Sequence, residues 1–198
     1  MKFAPTPTLT LDMTVNADFA QAEVDRQVVN LTRFPLFFPE QRPFFTEGAG
    51  IFDFGRLQQT QLFYSRRIGL GASGEPVPLI AGARLTGRVG EHQVGLLAVR
   101  TGGADPSTDL VARVKRDVLG RGYVGVLATL QDTKLAHPTG ALGVDVNLPY
   151  VINGQNFVIL AAVAGQRDSL NGETKGSARL VFDYPNDDAD IVARFEHV

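Results

Sequence analysis

Asp109–Leu130 reads DLVARVKRDVLGRGYVGVLATL, and an alternation of period two runs through it. From Asp109 to Val118 an extended chain puts Asp109, Arg113 and Lys115 on one side and Leu110, Ala112 and Val114 on the other. Leu119–Gly122 reads as a turn, and Tyr123–Leu130 runs back. Such alternation marks a strand with one apolar face, and so short a turn joins antiparallel neighbours.

The same grammar recurs on both sides. Upstream, Ala81, Ala83, Leu85 and Val89 oppose Arg84, Thr86 and Arg88; a tight turn at Gly90-Glu91 leads into Gln93–Arg100. Downstream, Leu142, Val144, Val146 and Leu148 oppose Asp145 and Asn147. Asn153-Gly154 is a two-residue hairpin signal. Phe157–Ala164 is the most apolar segment, Asn171-Gly172 marks another turn, and Ser177–Tyr184 alternates Arg179 and Asp183 with Ala178, Leu180, Phe182 and Tyr184. Asp190–Glu196 is the last segment of this kind. With Thr8–Val15 and Gln61–Ile68 the total is about ten strands, and no helical crossovers separate the later ones. The fold class expected is all-β, an antiparallel meander. Two architectures share the pattern: an outer-membrane barrel, apolar outside and polar within, and a soluble sandwich with one wet face.

Between the first strand and the rest lies NLTRFPLFFPEQRPFFTEGAGIFDFG, Asn30–Gly55. It holds seven of the 13 Phe of the chain, and Pro35, Pro39 and Pro43 recur every four residues. Proline at that spacing excludes both a helix interior and a central strand. An irregular segment with so many rings needs walls around it. Ahead of it, Asn16–Phe34 fits a short helix capped by Asn16 or Asp18. The organisation expected is one β-rich region over 1–198, with a first strand over 8–15, a plug-like insertion over 16–58 and antiparallel strands over 60–198.

Composition narrows the class. Among 198 residues, 44% are hydrophobic and 20% charged, the net charge is −2, and there is no Cys. These values argue against a nucleic-acid binder and exclude disulfides and thiolate metal sites. No apolar run reaches the roughly 18 residues of a membrane helix. MKFAPTPTLTLD has no apolar core of the signal-peptide kind.

Motif chemistry is sparse. Gly69–Gly74 matches G-x-G-x-x-G, but Glu75-Pro76-Val77-Pro78 follows where a dinucleotide site needs a helix, so the stretch reads as a hairpin loop and no cofactor is expected. Asp12, Asp18, Glu23 and Asp25 lack calcium-loop spacing, and His92, His137 and His197 lack zinc spacing; no metal site is expected. No nucleophile elbow is present and no catalytic residue is assigned. Arg33, Glu40, Arg42, Glu47, Arg66 and Arg67 form the ligand-binding candidates, since Arg and Glu forks among aromatic rings suit a sugar or an anion. The competing reading is that these charges pair with one another to neutralise a buried irregular segment. Arg84, Arg88, Arg113, Lys115, Asp145, Arg179 and Asp183 occupy the polar face of the strands, and in a barrel they would line the lumen.

Residues 8–55, followed by LFYSRRIG (62–69) and VFDYPNDD (181–188), resemble a bacterial family, the domain of unknown function 5916. That domain usually follows a module like family 9 carbohydrate-binding domains. The resemblance implies an outer-membrane-type β-barrel with the aromatic segment inserted among its first strands. Ala17 stands where the family pattern has Pro. The carbohydrate-binding module is missing, and the chain stops near Tyr184–Asp187, where the family pattern continues. It therefore reads as a fragment whose strands do not close a barrel by themselves. The function expected is a non-enzymatic barrel segment in the bacterial outer membrane, in envelope transport or glycan handling. Its partners would be outer-membrane lipid, carbohydrate, and the missing N-terminal and C-terminal parts of the same polypeptide. The alternatives are a soluble β domain binding carbohydrate or a partner protein, and part of a polysaccharide-acting hydrolase.

Overall fold

The structure, a computed structural model, describes residues 1–17, 39–55, 61–70, 75–133, 138–167, 173–186 and 190–197. It is a single antiparallel sheet of ten strands in chain order. They are β1 (Lys2–Thr6), β2 (Leu9–Ala17), β3 (Leu79–Val89), β4 (His92–Thr101), β5 (Ser107–Val118), β6 (Gly122–Thr133), β7 (Thr139–Ile152), β8 (Gln155–Arg167), β9 (Thr174–Pro185) and β10 (Asp190–His197). Among the described residues each pairs only with its sequence neighbours, which leaves β1 and β10 as edges. The meander is as the alternation predicts, and the described strands form one sheet, not the two packed layers of a sandwich.

Three boundaries differ from those expected. An additional strand, β1, precedes the first predicted one. Asn16, expected to cap a helix, lies inside β2 with φ of 47°; the helix predicted beyond it falls outside the described residues. Gln61–Ile68 is not a strand. It carries a 3₁₀ turn, Ser65–Arg67, in which the amides of Arg67 and Ile68 bond to the carbonyls of Tyr64 and Ser65. Its apolar residues Leu62, Phe63 and Ile68 pack into the core instead of pairing with a neighbour strand. Regular strands resume at Leu79, not at residue 60, so the insertion between β2 and β3 is longer than expected. Turn chemistry holds at the β7–β8 hairpin, where Asn153 and Gly154 take φ of 52° and 80°, the left-handed pair a two-residue turn demands.

The two faces of the sheet are chemically opposite. On one, apolar side chains pair across every junction: Leu11 with Leu85, Leu85 with Leu96, Leu96 with Ala112, Val114 with Val126, Val126 with Val144, Val144 with Val163, Ala161 with Leu180, and Leu180 with Phe195. Leu96, Leu110, Val114, Val126, Leu142, Val144, Val163, Leu180 and Phe195 are all exposed. The other face carries Asp12, Arg84, Asp109, Arg113, Lys115, Asp145 and Arg179, all buried.

The insertion covers Arg84, Arg113, Lys115 and Asp145 on that face. Its described part contains one helical turn, α1 (Pro43–Thr46), and a 3₁₀ turn over Ala49–Phe52. Phe44, Phe45, Phe52 and Phe54 are buried with Ile68 against Leu79, Leu97, Val99, Val111 and Leu127 of the strands. Burying each such ring stabilises the contact by about 1.5–3 kcal/mol. The sheet makes room by omitting side chains. A Cβ on Gly82 would stand 2.9 Å from Phe44, and one on Gly95 2.8 Å from Ile51 and 3.0 Å from Phe52; one on Gly143 would overlap Phe54 and Leu62. Gly143→Val should therefore lower stability by about 1–3 kcal/mol through overpacking. Gly165→Ala, whose Cβ meets nothing closer than 3.9 Å, should not. Urea midpoints followed by circular dichroism distinguish the two.

Candidate functional site

The site is the seam between the charged face and the inserted segment. β2 and β3 place Asp12 and Arg84 opposite one another. Arg84 Nη1 donates to the carbonyl oxygens of Phe44 and Glu47, while Nη2 reaches Asp12 at 3.2 Å and the Glu47 carboxylate at 3.1 Å. The same guanidinium lies 5.5 Å from the centre of the Phe44 ring. One wall side chain thus holds the C-terminal carbonyls of α1, whose acceptors lack partners in so short a helix. From outside, Lys2 Nζ meets Glu47 at 2.5 Å.

A second grip comes from β5 and β7. Arg113 and Asp145 form a bidentate pair at 2.6 and 2.8 Å, both essentially without exposure. Asp145 Oδ2 also accepts from the Gly55 amide and the Tyr123 hydroxyl, each at 3.3 Å. Arg113 lies 5.7 Å from the Phe54 ring centre. Its guanidinium rests over Gly125, where a Cβ would come within 2.7 Å of Nη1. Lys115 Nζ donates to the Gly50 carbonyl at 3.0 Å and faces the Tyr123 ring at 5.1 Å. Strand side chains therefore hold the insertion by its backbone at Phe44, Glu47, Gly50 and Gly55.

Within the insertion, Glu40 and Arg42 act as an internal clasp. Arg42 donates through Nε and Nη2 to the two Glu40 oxygens, both at 2.8 Å, and to the carbonyls of Ser65 and Ile68 at 2.7 Å each. Ser65 Oγ donates to Glu40 at 2.6 Å, Arg66 Nη1 donates to the Pro39 carbonyl at 2.7 Å, and Arg42 stacks over Phe45 at 4.3 Å. Burial works against the Glu40 carboxylate, yet the hydrogen bonds from Arg42 and Ser65 and the Arg42 charge outweigh it and hold its pKa below the ordinary 4.5. The insertion is thus closed on itself as well as gripped by the wall.

Of the ligand candidates, Glu40, Arg42 and Arg66 come together in this clasp, Glu47 joins Arg84 instead, Arg67 is exposed beside a cavity, and Arg33 lies outside the described residues. Of the polar-face residues, Arg84, Arg113, Lys115 and Asp145 meet the insertion. Arg88 pairs with the neighbouring Asp117, Arg179 meets Glu196 at 3.3 Å, and Asp183 is half-buried near the sheet end. Asp12, considered above as an oxygen ligand, is the partner of Arg84. Asp18, Glu23 and Asp25 lie outside the described residues. Sequence reasoning missed Gly82, Gly95, Gly125 and Gly143. The signal was there: each is a glycine at a polar-face position inside a strand, which marks close approach of another group.

Residues 1–88 match the model of a domain of unknown function, DUF5916. Over that span, less than half of the chain, the sequence is similar to the DUF5916 family. No curated protein and no solved structure shows significant similarity to it. The DUF5916 match runs from β1 to Arg88, the penultimate residue of β3. It thus contains the whole insertion, the Glu40–Arg42 clasp and the Asp12–Arg84 grip. The Arg113–Asp145 pair lies beyond it.

Asp145→Asn leaves a buried guanidinium without its counter-charge and should cost about 3–5 kcal/mol, measured by urea denaturation. Replacing both partners, Arg113→Met with Asp145→Leu, should cost less than the sum of the two single changes. The Glu40 clasp should be pH-dependent. A carboxylate with a depressed folded pKa contributes fully above its unfolded value and loses that contribution as pH falls through the folded value. The stability difference between wild type and Glu40→Gln, about 2 kcal/mol at neutral pH, should therefore shrink below pH 4.5.

Proposed function

We propose that this sheet is a wall of a membrane-embedded β-barrel of the outer-membrane type, non-enzymatic, with the Phe-rich insertion as its internal plug. One observation carries the reading: the apolar band passes from strand to strand across the whole sheet, on the face that the insertion leaves bare. In water such a continuous patch far exceeds what a soluble domain leaves exposed. Facing acyl chains it requires no partner, and the buried charges opposite it become lumen groups neutralised by the plug.

Strand dimensions and flanking chemistry support this reading. β3 to β9 run 10 to 14 residues, enough to cross a bilayer when tilted. Polar residues on the outer face, His92 and Arg100 on β4 and Arg116 on β5, sit towards strand ends. At the β7–β8 hairpin end, Tyr150 pairs with Phe157, whose ring centre lies 6.2 Å from Phe182 and 5.0 Å from Tyr184. Aromatic clusters of this kind mark membrane–water interfaces. The open edges at β1 and β10 would be covered by further strands in the complete barrel.

Membrane flotation with detergent and high-salt extraction tests the reading. The protein should stay with lipid through high salt and leave only with detergent. Val144→Arg, in the middle of the band, should weaken bilayer insertion by about 2–4 kcal/mol, whereas Arg116→Gln at its margin should have little effect. Release by salt alone, with a monodisperse fold in plain buffer, would overturn the barrel.

A further inference from the structure

A cavity of about 160 Å³ lies between the insertion and the charged face of β5 to β8. Phe63 and Tyr64 of the insertion form one side, and Asp109, Val111, Thr129 and Gln131 the other, with Arg67 also at its edge. Asp109 is unusual among the buried charges. Arg84 meets Asp12, and Arg113 meets Asp145. Asp109 is only 7% exposed, yet its oxygens receive neutral donors, Ser107 Oγ and Gln131 Nε2, each at 2.7 Å. Among the described residues no cation forms an ion pair with it. A buried carboxylate ordinarily has a counter-charge, and each of its oxygens has a second lone pair to offer. Arg67, exposed at the same cavity, forms no ion pair among the described residues.

We propose that this cavity binds a small zwitterion, an α-amino acid or a molecule of that size carrying one ammonium and one carboxylate. The ammonium would sit at the buried Asp109 carboxylate, and the Phe63 and Tyr64 rings would add a favourable face for a cation. The carboxylate would meet the Arg67 guanidinium, and the Thr129 and Gln131 side chains supply neutral hydrogen bonds. A simple cation would satisfy Asp109 but face Arg67, and a simple anion the reverse. Only a ligand with both charges complements both ends of so small a space. The inference is independent of whether the outer face meets lipid.

Calorimetric titration of the full chain, held in detergent micelles, with L-alanine, ethanolamine, propionate and glucose tests this. L-Alanine should bind at least about tenfold more tightly than ethanolamine or propionate, with glucose weaker still. Asp109→Asn should lower alanine affinity at least about tenfold while leaving the circular dichroism melting profile unchanged. Should that variant not fold, Arg67→Gln, at an exposed side chain, decides: it should remove the preference of alanine over ethanolamine. Absence of heat with every probe, glucose binding as tightly as alanine, alanine binding unchanged in Asp109→Asn, or a preference for alanine over ethanolamine that persists in Arg67→Gln would overturn the proposal.

Discussion

Charge carried into a space without water must be answered by another charge or a hydrogen bond, and the fold of this chain depends on how that requirement is met. Arg84 and Arg113 stand on a sheet face that would be a wet surface if nothing covered it. The Phe-rich insertion covers it and brings acceptors to two of its cations: two carbonyls for the Arg84 guanidinium, and a third for the ammonium of Lys115. Asp145 works in the opposite sense, accepting from the Gly55 amide while paired with Arg113. The described part of the insertion has little regular structure of its own, so its unpaired backbone groups need partners as much as the wall charges do. Each satisfies the other.

This exchange explains why glycine recurs at inward positions of four strands. Gly82, Gly95 and Gly143 admit rings or branched side chains of the insertion, and Gly125 admits the Arg113 guanidinium. Glycine costs entropy in a strand, roughly 0.5–1 kcal/mol each relative to alanine. Ring burial at about 1.5–3 kcal/mol outweighs that cost several times over. Wall and insertion therefore fit as complementary shapes, and a change on one side acts on the other.

The DUF5916 match over residues 1–88 takes on physical meaning in this light. It spans the clasp that folds the insertion on itself and the first grip that fixes it to the sheet. The remaining strands repeat a two-faced pattern that many sequences satisfy, whereas the matched part contains contacts specific to particular residues. A repeated alternation constrains only polarity at each position. A proline-spaced loop with a Glu40–Arg42–Ser65 clasp constrains identity.

By itself the sequence determined the sheet. Period-two alternation, Asn153-Gly154 and the short turns made the meander legible, because side-chain direction in a strand is set locally, residue by residue. It also marked residues 30–55 as irregular, since three prolines forbid the alternatives. Tertiary structure alone decided which charges meet. Glu47 joins Arg84 rather than Arg42, and Asp12 becomes an ion-pair partner rather than a lone oxygen ligand. It also turned 61–68 from an expected strand into a packed 3₁₀ segment. These outcomes depend on residues tens of positions apart meeting across the seam, and no local pattern encodes such a meeting.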